Sequence, residues 1–369
     1  MTTDRCLDAP AFRALFPALE SYAWLDTPGS PPLARPVGDV LSATLDAWLA
    51  GDFDWLAWDH TPQDVRTLFA RYVGVDPDAV ALMGSVAEGA TTVARSLPPG
   101  RIVVSDEEFR SNLFPWLQLD PATHDVVRVT ARDGAVRTED LVAACGEGTV
   151  LLAVSEVLSR DGVRADLAAL RAATDQVGAR LFIDASQSLG VLHLDFAALR
   201  PDYVAVHGYK WMFCPRGAAW LVVREDRQRE LRPLLPSWKS TPLPHGYFGG
   251  GFEPGPGMAR CDTSPAWLSW IGAEAALGIH LRLDPVETER HSIALAQAFL
   301  EGAEKRGATP VASGLPSQIA AVHVRDPGLV RERLRERRVK ATMTENRLRV
   351  GFHYFNHERD LEAVLSALG

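Results

Sequence analysis

Cysteine is scarce in this chain: four residues in 369, at positions 6, 145, 214 and 261. No two of them stand at a zinc-ligand or redox spacing, which argues against both kinds of site and makes a reduced, cytoplasmic setting the expectation. Each reads as a small buried residue. No apolar run approaches the ~20 residues of a membrane span. The opening stretch MTTDRCLDAPAFRALFPALE lacks the layout of a signal peptide. Basic residues are outnumbered, 38 Lys and Arg against 47 Asp and Glu, for a formal net charge of -9. A nucleic-acid partner would ask for a basic face, so that class is disfavoured. The acids are dispersed and read as a solvated surface. Internal repeats and low-complexity linkers are also missing.

What remains is ordinary globular chemistry, 47% hydrophobic and 23% charged, with length for one large domain and a smaller one. The middle alternates strand and helix patterns. VALMG precedes a helical stretch from Val86 to Leu97, where Val86, Ala90, Val93, Ala94 and Leu97 recur at helical spacing. RIVVSD and TVLLAVS read as strands, and a helix capped by Asp166 follows the second. RLFID, YVAVH and AAWLVV complete the set. The class is therefore α/β, with a mostly parallel sheet flanked by helices. Ser237–Pro265 is rich in Gly and Pro and reads as a long ordered loop, a kind that is usually functional or disordered. A helix over Ala266–Leu281 then leads to a second helix near His291–Lys305, the strand IAAVHV, the charged helix PGLVRERLRERR, the strand LRVGF and a final helix. The expected organisation is an N-terminal segment 1–20, a large domain 21–265, and a linking helix with a small α+β domain over 266–369.

Two of the apolar runs end on ionisable residues. RLFID closes on Asp184, and YVAVH closes on His207 just before Lys210. In an open parallel sheet that edge is where ligands bind. A lone aspartate there often only caps a turn, but Gln187 and Lys210 stand close by in sequence. A lysine just past a buried run is costly unless paired or chemically used, and a desolvated amine forms Schiff bases readily. A lysine for the aldehyde and a carboxylate for the ring nitrogen are what pyridoxal phosphate requires.

The stretch LFIDASQSLGVLHLDFAALRPDYVAVHGYKWMFCPRGAAWLVV resembles the core of the class V pyridoxal-phosphate-dependent family, with Asp184, Gln187, Gly190, Asp195, Asp202, Lys210, Pro215 and Gly217 in its pattern. That family includes aminotransferases, cysteine desulfurases, kynureninases and isopenicillin-N-epimerase-like proteins. The resemblance implies a fold-type I transferase, the cofactor pyridoxal 5′-phosphate, an amino-acid substrate joined to it as an external aldimine, and a homodimer. It assigns Lys210 to the Schiff base and Asp184 to the ring nitrogen. GSVAEGATTVARSL falls at the phosphate-binding turn, with Ser85, Val86 and Ala87 as candidates; a phosphate there meets free amides at a helix start. Glu88 is unfavourable beside a phosphate unless it points away or caps the turn. Phe109, in EEFRSNLFPW, falls where the family stacks an aromatic on the cofactor, with core packing as the plainer reading. Ser159 falls beside the cofactor hydroxyl. His207 and Tyr209 replace the commoner serine and histidine before the lysine, and by position contact the phosphate. Thr263 and Ser264 fall where the family reaches the neighbouring subunit's phosphate site. Arg349, in LRVGFHYF, matches the arginine that grips the substrate carboxylate, with a surface ion pair as the plainer reading and Arg347 as the decoy on the same strand face.

The fold does not set the reaction. Cysteine desulfurases use a nucleophilic cysteine in the C-terminal third, and no cysteine follows Cys261 here. EFxSNxxPW and GYKW look most like the epimerase-like and C–S-lyase-like branch. The expected activity is β-elimination from a cysteine thioether, with class V transamination or decarboxylation-linked deamination as alternatives. A non-catalytic binding protein of the same fold is disfavoured by Lys210, Asp184 and Arg349 together. Trp24, Trp48, Trp55, Trp58 and Trp116 cluster early and suggest either an aromatic-lined site or core packing.

Overall fold

Short apolar runs, bounded by aspartate caps, glycine and proline, build the elements of this chain. The computed structural model describes residues 6–132, 135–311 and 314–369; residues 1–5 of the expected N-terminal segment lie outside them. The first part comprises α1 (Ala9–Arg13), β1 (Ala23–Trp24), α2 (Arg35–Ala50) and α3 (Trp55–Val73). Asp54 caps α3 by accepting the Leu56 N–H at 2.9 Å, and Gly74 ends it at φ +73°. Then follow β2 (Val80–Met83), α4 (Val86–Ala94), β3 (Gly100–Ser105), α5 (Arg110–Leu117), β4 (His124–Val129), α6 (Thr138–Ala144), β5 (Thr149–Ser155), α7 (Leu167–Val177), β6 (Arg180–Asp184), α8 (Phe196–Leu199), β7 (Tyr203–His207) and β8 (Ala219–Val223).

These eight-residue-or-shorter strands include the seven of one sheet, in the order β2-β8-β7-β6-β5-β3-β4. Pairing is parallel from β7 through β4, and β8 is antiparallel to both of its neighbours. Alternate residues of each strand feed two cores. Ile183, Val204 and Trp220 face α3 and the later helix α9 (Trp267–His280); Phe182, Ala205 and Leu221 face α4 and α5. Phe69 of α3 stacks on Trp220 with ring centroids 4.4 Å apart.

The C-terminal part is α10 (Pro285–Glu304), β9 (Thr309–Pro310), β10 (Ile319–His323), α11 (Pro327–Glu336), β11 (Val339–Lys340), β12 (Thr342–Thr344), β13 (Arg347–Gly351) and α12 (Glu358–Leu368). Four strands form an antiparallel sheet in the order β12-β13-β10-β9, packed on α10, α11 and α12 through Phe299, Val322, Leu348 and Val364. Two stretches cross the expected division at 265. Helix α9 packs against α2 and α3 of the large domain, while β1 pairs with β11 and Leu25 joins the small-domain core. The Leu25 carbonyl accepts the Gly351 N–H at 2.8 Å, and Asn356 Nδ2 donates to the Trp24 carbonyl at 3.0 Å.

Some expected boundaries move. Helix α4 stops at Ala94 rather than Leu97, because Pro98 and Pro99 force the preceding residue out of the helical region. Helix α10 starts at Pro285, ahead of His291, because Asp284 caps it, accepting the Val286 and Glu287 N–H groups. Of the early tryptophans, Trp116 is core, but Trp48 and Trp55 are 50% and 41% exposed. Trp48, Phe53 and Trp58 pack together, and Trp55 meets Tyr247 and Trp267. Among the described residues, no helix is long and apolar enough to cross a membrane, and no three His, Cys, Asp or Glu side chains are grouped to hold a metal ion.

Candidate active site

Chemistry-bearing side chains gather where strands β2, β3, β5, β6 and β7 end. Ser85 follows β2, Phe109 follows β3, Ser159 follows β5, Asp184 ends β6, and His207 ends β7 with Lys210 three residues on. Parallel strands send all their carboxyl ends to one edge, so residues far apart in sequence converge.

Asp184 is buried, and its Oδ1 accepts the Ser186 N–H at 2.8 Å. Burial pushes its carboxyl above the usual range; the Ser186 hydrogen bonds and the Lys210 charge oppose that only in part. Lys210 is 6% exposed. A tight turn holds it. The Phe213 N–H returns to the Lys210 carbonyl at 3.2 Å, with Phe213 itself at φ +59°. The turn lies against Gly190, where a Cβ would come 2.7 Å from the Trp211 carbonyl oxygen, so only glycine fits. The ammonium sits 5.4 Å from the Phe109 ring centroid and 5.9 Å from that of Tyr209. Among the described residues it makes no hydrogen bond or ion pair. Burial lowers its pKa to about 8, Asp184 opposes the shift, and the Arg349 and Arg216 charges add to it. The amine is thus far easier to neutralise than that of a surface lysine.

Gln187 ties three segments together. Its amide donates to Ser159 Oγ at 2.7 Å and to the Pro28 carbonyl at 3.1 Å, while its oxygen accepts the Trp211 indole N–H at 2.8 Å. Arg349, on β13, reaches the same place. It donates to the Ser159 carbonyl at 2.5 Å and to Thr342 Oγ1 at 3.0 Å, and it lies 3.5 Å from Asp26 Oδ1. Its Nε is buried without a partner. Arg347 stands two residues back, opposite His323 and Thr344 in register. Arg349 does pair with Asp26, as the plainer reading has it, but with its guanidinium only 13% exposed and donating to Ser159.

The start of α4 makes an amide cradle. Ser85 caps the helix by accepting the Glu88 N–H. The Glu88 carboxylate turns back to accept the Gly84 N–H at 2.8 Å, so it caps the turn. Among the described residues no hydrogen bond engages the Ser85 or Ala87 N–H. The Val86 amide differs from expectation: it donates to His207 Nε2 at 3.2 Å, because the histidine at the end of β7 reaches across to the helix start. Burial, then the Lys210 and Arg216 charges, depress the His207 pKa to about 4, so the ring is neutral. Tyr209 packs on it with ring centroids 4.9 Å apart. Thr263 meets the Glu88 carboxyl. Thr263 and Ser264 line a small cavity of about 110 Å³ beside Gly84 and Asp262.

Glu108 was not anticipated. It is buried, accepts the Ser155 N–H at 2.6 Å and the Asn112 amide at 3.0 Å, and takes the Ser155 hydroxyl as well. Burial pushes its carboxyl up to about 7, and the Asp184 charge acts in the same direction. Asp26 and Thr342, which brace Arg349, were also unassigned. The signal for Glu108 was its place directly before Phe109; Asp26 and Thr342 gave none beyond their residue types.

A buried lysine with a lowered pKa, an aspartate at the next strand end, an aromatic face and two free amides together fit pyridoxal 5′-phosphate. Lys210 suits its aldehyde, Asp184 its ring nitrogen, Phe109 its flat face, and the Ser85 and Ala87 amides its phosphate. Fold and site define a fold-type I pyridoxal-phosphate-dependent enzyme. Sequence comparison narrows the class: the family profile of class-V aminotransferases matches residues 58–324, and the chain belongs to that family. Isopenicillin N epimerase from Amycolatopsis lactamdurans is 28% identical over 377 residues, covering 91% of this chain and 92% of the relative. An uncharacterised aminotransferase, YcbU of Bacillus subtilis (strain 168), is 25% identical over 97% of this chain and 96% of its own length. Among solved structures, the cystine C–S lyase C-DES in complex with its product cysteine persulfide superposes with a TM-score of 0.85 at 23% identity, covering 96% and 98% of the two chains. Pyridoxal 5′-phosphate is the cofactor of this enzyme.

Proposed function

We propose that the chain is a carbon–sulfur lyase that removes a thiol from the β-carbon of a cysteine thioether, acting as a cytoplasmic homodimer. When bound, the cofactor supplies an electron sink for the pair of electrons released at the substrate α-carbon. The residues divide the work. Arg349 offers a partly freed guanidinium to the substrate carboxylate, which fixes the angle of the Cα–H bond. Lys210 takes the Cα proton, its basicity set by burial and by Asp184. Asp184 holds a proton at the cofactor ring nitrogen. The β-sulfur leaves as thiol, and water then releases pyruvate and ammonia. The observation that carries this reading is the meeting of the Asp184 and Arg349 charges on Lys210, whose ammonium lies over Phe109, an aprotic ring that offers no second proton donor. A persulfide relay finds little support, since Cys145, Cys214 and Cys261 are buried and burial raises all three thiol pKa values. The exposed Trp48, Leu49, Trp55, Leu56 and Phe248 support a second copy as partner, which sedimentation would test.

The likeness to isopenicillin N epimerase favours a second reading, Cα epimerisation. Incubation with a panel of cysteine thioethers, without any oxo-acid, separates the two. The lyase gives steady release of thiol, pyruvate and ammonia. Recovered substrate of inverted configuration would favour the epimerase. Arrest after one turnover until an oxo-acid is added would favour transamination, and carbon dioxide as first product would favour deamination. Arg349→Ala is expected to lower kcat/KM on the order of 100-fold for the true substrate, as expected for losing a charged hydrogen-bonded grip.

A further inference from the structure

A phosphate monoester carries close to two negative charges at neutral pH. The cradle at α4 offers it amides and neutral rings but no cation. His207 is held neutral, and Tyr209 adds an aromatic face. Lys239 is committed to Asp59 at 2.5 Å and Arg66 to Asp262. Lys210 is needed at the aldehyde.

Among the described residues, Arg216 is an uncommitted cation on this side. Arg216 lies in the turn between Pro215 and Gly217, exposed to solvent, and its guanidinium stacks 4.0 Å above the Tyr209 ring. Among the described residues it forms no ion pair and donates no side-chain hydrogen bond. Its carbonyl accepts the Ser269 hydroxyl at 2.6 Å, which anchors the turn and leaves the side chain to the tyrosine. Gly217, at φ +99°, faces that same Ser269 at 2.8 Å from a would-be Cβ, so the turn has little freedom to swing away. A continuous line thus runs from the Val86 amide through the His207 ring and the Tyr209 ring to the Arg216 guanidinium.

We infer that Arg216 is the cationic partner of the cofactor phosphate, held in place by stacking on Tyr209. The stack fixes the plane of the guanidinium while leaving its N–H edge free, the form in which arginine grips phosphate oxygens. The charge also does a second job. It acts on Lys210 in the direction that keeps the amine neutral, and a bound phosphate would cancel part of that effect. Occupancy of the cradle and basicity of the lysine are thereby linked through one residue.

The inference rests on the pyridoxal-phosphate reading of the site, and the test separates the two. Cofactor-free wild type, Arg216→Ala and Arg216→Lys are titrated with pyridoxal 5′-phosphate and with pyridoxal, which has the aldehyde but no phosphate. Binding is read by the visible band and by quenching of protein fluorescence. Loss of one charged hydrogen-bonded contact predicts that Arg216→Ala weakens the phosphorylated ligand on the order of 10- to 100-fold. Measured well above pH 8, where the Lys210 amine is neutral with or without the Arg216 charge, pyridoxal binding stays unchanged, which also reports an intact fold. Arg216→Lys recovers part of the loss, since it keeps charge but not the planar stack. Inorganic phosphate should compete with the cofactor in wild type and far less in Arg216→Ala. Equal affinity of wild type and Arg216→Ala for the phosphorylated ligand overturns the inference. So does an equal loss for both ligands, which marks a structural role, or a loss confined to the KM of acidic substrates, which moves Arg216 to substrate binding. If wild type binds neither ligand, the reading of the site itself fails.

Discussion

Asp184 and Asp202 stand at opposite ends of the β6–β7 pair, and both are buried. Asp202 precedes β7 at the end away from Lys210. Its carboxylate accepts the Leu181 N–H at 2.9 Å and pairs with Arg171 at 2.6 Å, Arg224 at 2.8 Å and Arg227 at 2.9 Å. Asp184, at the other end of the pair, has the Ser186 hydrogen bonds and the charge of a lysine it does not touch as a salt bridge. Both aspartates belong to the motif that resembles the class V core. The difference lies in spare capacity. The carboxylate at one end has its lone pairs used up by its own chain, which suits a brace between strands. At the other end the lone pairs are left for something the chain does not contain, and burial without full pairing leaves the carboxyl raised and the amine lowered.

The contrast can be broken first at Lys210. Lys210→Ala is expected to abolish covalent cofactor attachment, seen as loss of the borohydride-sensitive visible band, and to cut turnover by at least about 10³-fold. A label found on another lysine after reduction would displace Lys210 from its role. Next comes stability. Asp202→Ala removes the acid shared by three guanidinium groups, which keep Asp175, Asp226 and Glu230, and leaves the Leu181 N–H unpaired; it should cost about 3 kcal/mol in chemical denaturation, with an unaltered midpoint slope. Asp184→Asn should cost the cofactor-free protein only about 1 kcal/mol, the net worth of one hydrogen bond, while removing most turnover. Similar stability losses in both variants would erase the distinction between brace and site. The smallest effect is the most specific. Uptake of cofactor by the cofactor-free protein needs the neutral amine, so its rate should rise with pH to a plateau above about 8, the folded pKa of Lys210. A free lysine, with its ordinary pKa of 10.5, would keep rising well beyond that. Asp184→Asn should move the midpoint lower still, since its charge is what opposes the shift. The same linkage makes the folded state of the cofactor-free protein gain stability as pH rises from about 8 toward 10.5, where the unfolded chain still binds the proton.

How much of this was legible beforehand depended on distance along the chain. Asp184, Gln187, His207 and Lys210 lie within 27 positions, and each strand announces its end by an apolar run giving way to a polar group. The alternating strands and helices, and the cap Asp166, were local too. Helices α2 and α3 were not legible. Their exposed Leu45, Trp48, Leu49, Trp55 and Leu56 put apolar residues on the outward side and blur the period that marks a helix. The brace on Arg349 was invisible because Asp26 and Thr342 are 316 positions apart. The turn of the Val86 amide toward His207 spans 121. Contacts of that kind leave no pattern in a window of residues; they exist only once the sheet has brought its edges together.

The contact of Trp24, Leu25 and Pro28 with Gln187, Gly351 and Asn356 has a consequence for timing. During synthesis at ~5–20 residues per second, Arg349 follows Lys210 by roughly 7 to 28 seconds. In that interval the N-terminal strand has no β11 to pair with, and Asp26 has no Thr342. If Arg349 grips the substrate carboxylate as proposed, a nascent chain carries the Lys210 amine before the guanidinium that selects the amino acid. On that reading selectivity is the last property the polypeptide acquires, arriving when the end of β13 bonds back to Leu25.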